Sequence, residues 1–269
     1  AQTFSDDFGH PDFAAVAAAL VAAAEQGRDG LGTVMVTISG NGRLYQDDAN
    51  YHSFSNDRHV ITVAASDADG SVADYSSPGA SILVTAPSSD RSSGITTTDR
   101  VGGSGYSPTD FTTTFGGTSA AGPQVAGVVA LMLEANPALG YRDVQEILAY
   151  SARQTDMPFF YEFNGARNWN GGGLHFHEDF GAGLVDARAA VRLAETWTTQ
   201  HTAANEQVVT RSASPELAIR DTVTISSSIA NDTALDIDSV EIAVDLSHTA
   251  RGDLLIQLVS PSGVTSTLM

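Results

Sequence analysis

Apolar positions fall into two rhythms along this chain. In PDFAAVAAALVAAAEQ (11–26), Phe13, Val16, Leu20 and Ala24 recur at helical spacing. Pro11 and Asp12 suit a first turn and Gly27 a stop, so a helix is predicted over 11–26. TVMVTI (33–38), HVITVAA (59–65) and SILVTAP (81–87) are short, almost continuous apolar runs. Such runs predict strands buried on both faces, as in a parallel sheet. Helices are predicted at 120–137, at 142–153 through Val144, Ile147 and Leu148, and at 186–197. Strands alternating with helices define an α/β layer fold. A stretch rich in Ser, Thr, Gly and Asp, 88–117, reads as a loop.

The rhythm changes near residue 200. QVVTRS (207–212), TVTISSSIA (222–230), SVEIAVDLS (239–247) and DLLIQLVS (253–260) alternate apolar and polar positions between turn residues. They predict an antiparallel β-sandwich or barrel. The boundary is placed in TTQHTAAN (198–205), giving one domain over 1–199 and a second over 200–269. Four strands are too few to close a sandwich, so the second domain is expected to be incomplete.

Charge narrows the function classes. The chain has 32 acidic and 13 basic residues, a formal net charge of −19. That balance argues against non-specific nucleic-acid binding, which needs the opposite sign. No cysteine is present, which excludes disulfides and thiolate metal sites. AAVAAALVAAA (14–24) is too short and alanine-rich for a membrane span, and no signal peptide is visible.

Two small-residue stretches carry the candidate chemistry. In FGGTSAAGPQVAG (115–127), Ser119 sits where two glycines give way to an apolar helix. A hydroxyl there can cap the helix, with Pro123 accommodated in its first turn. It can also be a nucleophile, since Ala120, Ala121 and Gly122 leave room beside it and the helix end favours a developing oxyanion. Asn41, in SGNG after the first strand, lies at the sheet edge where α/β folds bind ligands. As a plain turn residue it would take the left-handed conformation. As a functional one, its amide N–H₂ would donate to the same oxyanion.

GGTSAAGPQVAGVVALMLEANP (116–137), with ISGNG upstream, resembles the subtilisin-type serine proteases. QGRDGLGTVMVTISGNG (26–42), LEANPALGYRDVQEILAYSA (133–152) and FGAGLVDARAAVRLAETW (180–197) are similar to the kexin/furin branch of that superfamily. HTARGDLLIQLVSPSG (248–263) resembles its P domain. The resemblance implies a parallel sheet with helices on both faces, lacking its N-terminal part, followed by a partial P domain. It implies a secreted serine endopeptidase acting on peptide or protein substrates, with Ser119 as nucleophile and Asn41 in the oxyanion hole.

A serine nucleophile needs a base and an orienting carboxylate. In subtilisins Asp and then His precede the oxyanion asparagine, and only His10 precedes Asn41 here, in FGHPDF. The base and its aspartate are therefore expected upstream of this chain, which alone is expected to be inactive. The alternative is an inactive fragment or pseudoenzyme that binds peptides or proteins. The resemblance further implies cleavage after basic residues and a structural calcium ion. Asp6 or Asp7, in SDDFG, matches a substrate-strand acid, and Asp6 and Asp47 match metal ligands. His52 stands where the family has a pocket acid, and Tyr75-Ser76-Ser77 where it has a glutamate ligand. These departures weaken that calcium site and imply a broader preference for basic residues. His175 and His177 share i, i+2 spacing but are read as packing, as are Phe159, Phe160, Tyr161, Phe163 and Trp169.

Overall fold

A computed structural model describes residues 7–90, 92–154 and 174–269. Phe159 to Trp169, and Asp6, lie outside the described residues. Strands β1 (Met35–Ile38), β2 (Val60–Ser66) and β3 (Ile82–Pro87) form a parallel sheet in the order β1-β2-β3. Val36 pairs with Ile61 and Val63 with Val84. All of β2 is buried, as its unbroken apolar sequence requires of a central strand. Strand β1 is only half-buried, so the double burial expected for it does not hold: it is an edge strand among the described residues.

Helix α1 (Ala14–Gln26) follows a 3₁₀ turn at Pro11–Phe13 and ends at Gly27. Of its predicted apolar face Leu20 and Ala24 are buried, whereas Val16 is exposed. Helices α2 (Thr118–Ala135), α3 (Tyr141–Ser151) and α4 (Ala187–Thr196) match the predicted positions closely. Ile61, Val63 and Val84 of the sheet meet Val125, Met132, Val144, Ile147, Leu148 and Ala190 of these helices in one core. The opposite sheet face carries Ala64 and Ile82 against Ala49. Helix α2 sits very close to β1, because a Cβ on Gly122 would fall 2.8 Å from the Ile38 side chain. That contact fixes the start of α2 just beyond the carboxyl end of β1.

Two further expectations fail here. The stretch 88–117 is not a plain loop, because β4 (Ile95–Thr98) and β5 (Phe111–Phe115) pair in an antiparallel hairpin. Its threonines are β-branched and suit strands despite their polarity. Conversely, the predicted strands over 207–212, 222–230 and 239–247 do not form. Val208, Ile225, Ile229, Val240, Ile242 and Val244 are exposed there. Alternation makes a segment fit to pair but does not supply a partner. Only β6 (Gln257–Val259) and β7 (Thr265–Thr267) find one, antiparallel to each other. The C-terminal region therefore holds antiparallel strands but no closed barrel.

Candidate active site

The carboxyl ends of two strands converge on the start of α2. Ser39 continues the ladder of β1, its N–H donating to Val63 O at 2.9 Å. The chain then turns through Gly40, whose φ is 100°, and presents Asn41. Gly40, not Asn41, takes the left-handed conformation, contrary to the turn reading of Asn41. From β3, Ser88 Oγ donates to Gly117 O at 2.6 Å and Ser89 Oγ accepts Gly117 N–H at 3.3 Å. Gln124 adds a third tether, donating to Pro87 O at 2.6 Å.

Asn41 is fastened to the helix mouth. Its Oδ1 accepts both Thr118 N–H at 2.9 Å and Thr118 Oγ–H at 3.0 Å. An amide oxygen only accepts and the Nδ2 only donates, so this pairing sets which end of the amide faces outward. The helix cap is Gly117, and neither Thr118 nor Ser119 serves as one. The capping oxygen comes instead from Asn41, in the turn after β1. Gly117 has a φ of 76°, and a Cβ there would meet the Asn41 amide at 3.2 Å. Close packing and backbone conformation both require glycine at that position.

Ser119 is the second residue of α2 and is exposed. Its N–H belongs to the first turn, whose donors lack intrahelical acceptors. Pro123 lies inside the helix rather than in its first turn. Having no N–H, it gives the Ser119 carbonyl no i→i+4 partner. The helix mouth therefore offers the exposed Ser119 hydroxyl, the Ser119 N–H of the first turn and the positive end of a long helix.

His10, His52, His59, His177 and His248 contact groups of their own. His52 Nε2 lies 2.9 and 3.1 Å from the two carboxylate oxygens of Asp47. His59 pairs with Asp57 at 2.7 Å, His10 with Asp12 at 3.5 Å and His248 with Asp221 at 3.8 Å. His177 is not on a strand: it forms an isolated bridge to Gly181 and its Nδ1 accepts Asp179 N–H. Burial holds the His177 ring below its ordinary pKa.

Asp143, Glu146 and His201 form the one group of three metal-capable side chains among the described residues. They do not fit a metal. Asp143 is fully buried and already accepts from Gly140 N, His201 N, Trp197 Nε1 and Thr199 Oγ. The surroundings of Asp47 do not fit calcium either. Both its oxygens face His52, and one also accepts from Ser77 Oγ. A hard cation needs six to eight oxygens. Neighbouring Asp48 is raised to about 6, chiefly by burial and further by Asp47 and Glu178.

A parallel sheet backed by helices, with a serine at a helix mouth next to a threonine tied to an asparagine from a strand end, marks a fold of the subtilisin type. Residues 5–183 match the subtilase family and residues 237–269 the proprotein convertase P-domain. The protein belongs to the subtilase family, and its relatives are kexin- and furin-like. It is 35% identical over 252 residues to human proprotein convertase subtilisin/kexin type 4, covering 91% of this chain and 31% of that protein. Furin of Rattus norvegicus is 34% identical over 253 residues, with 91% and 30% covered. Protease KEX1 of Kluyveromyces lactis is 32% identical over 259 residues, with 93% and 32% covered. The chain thus spans about a third of the length of these relatives. The Aeromonas sobria serine protease, solved with its chaperone, superposes with a TM-score of 0.73 at 21% identity. That superposition covers 100% of this chain and 54% of the other, and it shows the fold. Among the described residues no helix is long and apolar enough to cross a membrane.

Thr118, Ser88 and Ser89 were missed by sequence reasoning. The available signal was a serine pair placed directly after an apolar strand, the same placement that singled out Asn41.

Proposed function

We propose that the protein is a secreted serine endopeptidase, with Ser119 as its nucleophile. Ser119 Oγ attacks the peptide carbonyl carbon as its proton passes to a base. The carbonyl oxygen becomes an oxyanion held by Asn41 Nδ2–H and the Ser119 backbone N–H. Collapse of that intermediate breaks the C–N bond, the base returns the proton to the leaving amine, and water then hydrolyses the acyl-enzyme. The histidine base and its aspartate are assigned to sequence ahead of Ala1, since the histidines beside described carboxylates serve other contacts.

The observation that carries this reading is the Asn41 to Thr118 pair. With Oδ1 held, the amide donor end is left for a ligand beside Ser119. The substrate is a protein or peptide with a basic residue before the cut, accepted more broadly than a paired-basic rule. Asp6 is assigned to that recognition. Any calcium is assigned to residues other than Asp47.

A fluorophosphonate probe tests the nucleophile. The isolated chain is expected to label poorly. A longer form carrying the upstream histidine is expected to label rapidly, and Ser119→Ala to abolish that labelling. Labelling that survives Ser119→Ala would remove Ser119 from the mechanism.

A further inference from the structure

Gly40 and Gly42 flank Asn41, and both backbones bind one residue, Ser77. Ser77 N–H donates to Gly40 O at 3.0 Å, and Gly42 N–H donates to Ser77 Oγ at 3.0 Å. Ser77 Oγ in turn donates to Asp47 Oδ2 at 3.3 Å. Asp47 closes the loop from below, its own N–H donating to Gly42 O at 3.2 Å. The packing is tight: a Cβ on Gly42 would fall 2.5 Å from Asp47 Cβ and 2.6 Å from its Oδ2. The loop bearing Asn41 therefore rests on the Asp47 carboxylate, directly and through Ser77.

His52 holds that carboxylate. The Asp47 side chain is only 9% exposed, and His52 Nε2 spans both its oxygens. A carboxylate only accepts, so Nε2 carries the hydrogen. A buried acid of this kind requires charge or hydrogen-bond compensation. His52 and Ser77 provide it with side chains, where the family resemblance placed a cation.

We infer that His52 is a positioning residue. By clamping Asp47 under Gly40–Gly42 it fixes the direction of the Asn41 amide, in the place of a metal ion. The inference rests on the reading of Asn41 as an oxyanion donor, because only then does the loop's direction matter for rate. Its physical core, a metal-independent clamp, is testable apart from that reading.

Amide and imidazole NMR of the full chain, in a Ser119→Ala background, separates the two. His52→Ala is expected to move the Gly42 amide and Asn41 side-chain cross-peaks. His52→Gln, which keeps an N–H donor, is expected to bring them back toward their original positions. Millimolar calcium added to the parent chain is expected to leave these peaks and the His52 Nε2–H resonance unmoved. Saturable movement with calcium that disappears in Asp47→Asn would overturn the inference, as would unmoved peaks in His52→Ala. Because Ser119 is already absent, either result stands whether or not Ser119 is a nucleophile. Fluorophosphonate labelling decides that separately.

Discussion

Residues 60–66 and residues 239–247 are written in similar letters. Both are rich in Val, Ile and Ala, and both would be read as strands. The first becomes β2, with every residue buried between two parallel neighbours. The second stays unpaired, with Val240, Ile242 and Val244 exposed. The difference lies outside the segments themselves. β2 has β1 and β3 to satisfy its backbone and α2 to cover its side chains. Residues 239–247 are tied by Arg58 Nη1 to Glu241 at 3.2 Å and, just before them, by Arg142 Nη2 to Asp238, and such partly exposed pairs stabilise by about 0–1 kcal/mol. Stability in this molecule therefore concentrates in the sheet, α2, α3 and α4, the elements that carry Asn41 and Ser119.

The sharpest way to break that contrast is to hollow the core. Leu148→Ala is expected to lower unfolding stability by about 2–5 kcal/mol, measured by urea denaturation. A loss below about 0.5 kcal/mol would mean the region is no better packed than the tail.

Next in size is a change at the site that leaves the core intact. Asn41→Ala in the active form is expected to lower kcat by about 10²–10³, with little change in KM. That range is the one found for the oxyanion asparagine of subtilisin, a member of this family. A drop confined to KM would sever the link between the packed region and catalysis.

A smaller effect follows from Asp48, under the same loop. Its folded-state pKa of about 6 exceeds the ordinary 3.8, chiefly because burial disfavours the charge. Between these values the folded chain holds a proton that the unfolded chain has lost. Stability from this group is thus greatest at low pH and falls as pH rises through about 4 to about 6. Thermal melts across that window are expected to show a slope in the parent that flattens in Asp48→Asn. Parallel slopes would remove Asp48 from the account.

The smallest effect belongs to the other side of the comparison. Val240→Ser is expected to change stability by less than about 0.5 kcal/mol in the same denaturation assay. A larger loss would mean residues 239–247 pack on something in solution.

Much of this was legible beforehand. Strands β2 and β3 and helices α2 to α4 are continuous apolar or periodic runs, and they appear within about two residues of their expected ends. Ser119 and Asn41 were legible as small-residue motifs at element ends. What escaped was everything set by contacts between distant parts. The cap of α2 comes from a side chain 77 residues away. The seat of the Asn41 loop is a carboxylate held by a histidine in a separate turn. Polar threonines concealed β4 and β5, and no local rule could reveal that 207–247 would lack partners.

Asp143 bears on how this chain can be recombined. Three of its four donors, Trp197, Thr199 and His201, follow α4, and only Gly140 belongs to the entry of α3. Arg142 extends the same stitching to Thr202 O and Asn205. A chimera that swaps in a foreign C-terminal module should be joined after Asn205. Joined earlier, it would leave a buried acid facing missing donors and unseat the helix that backs β3.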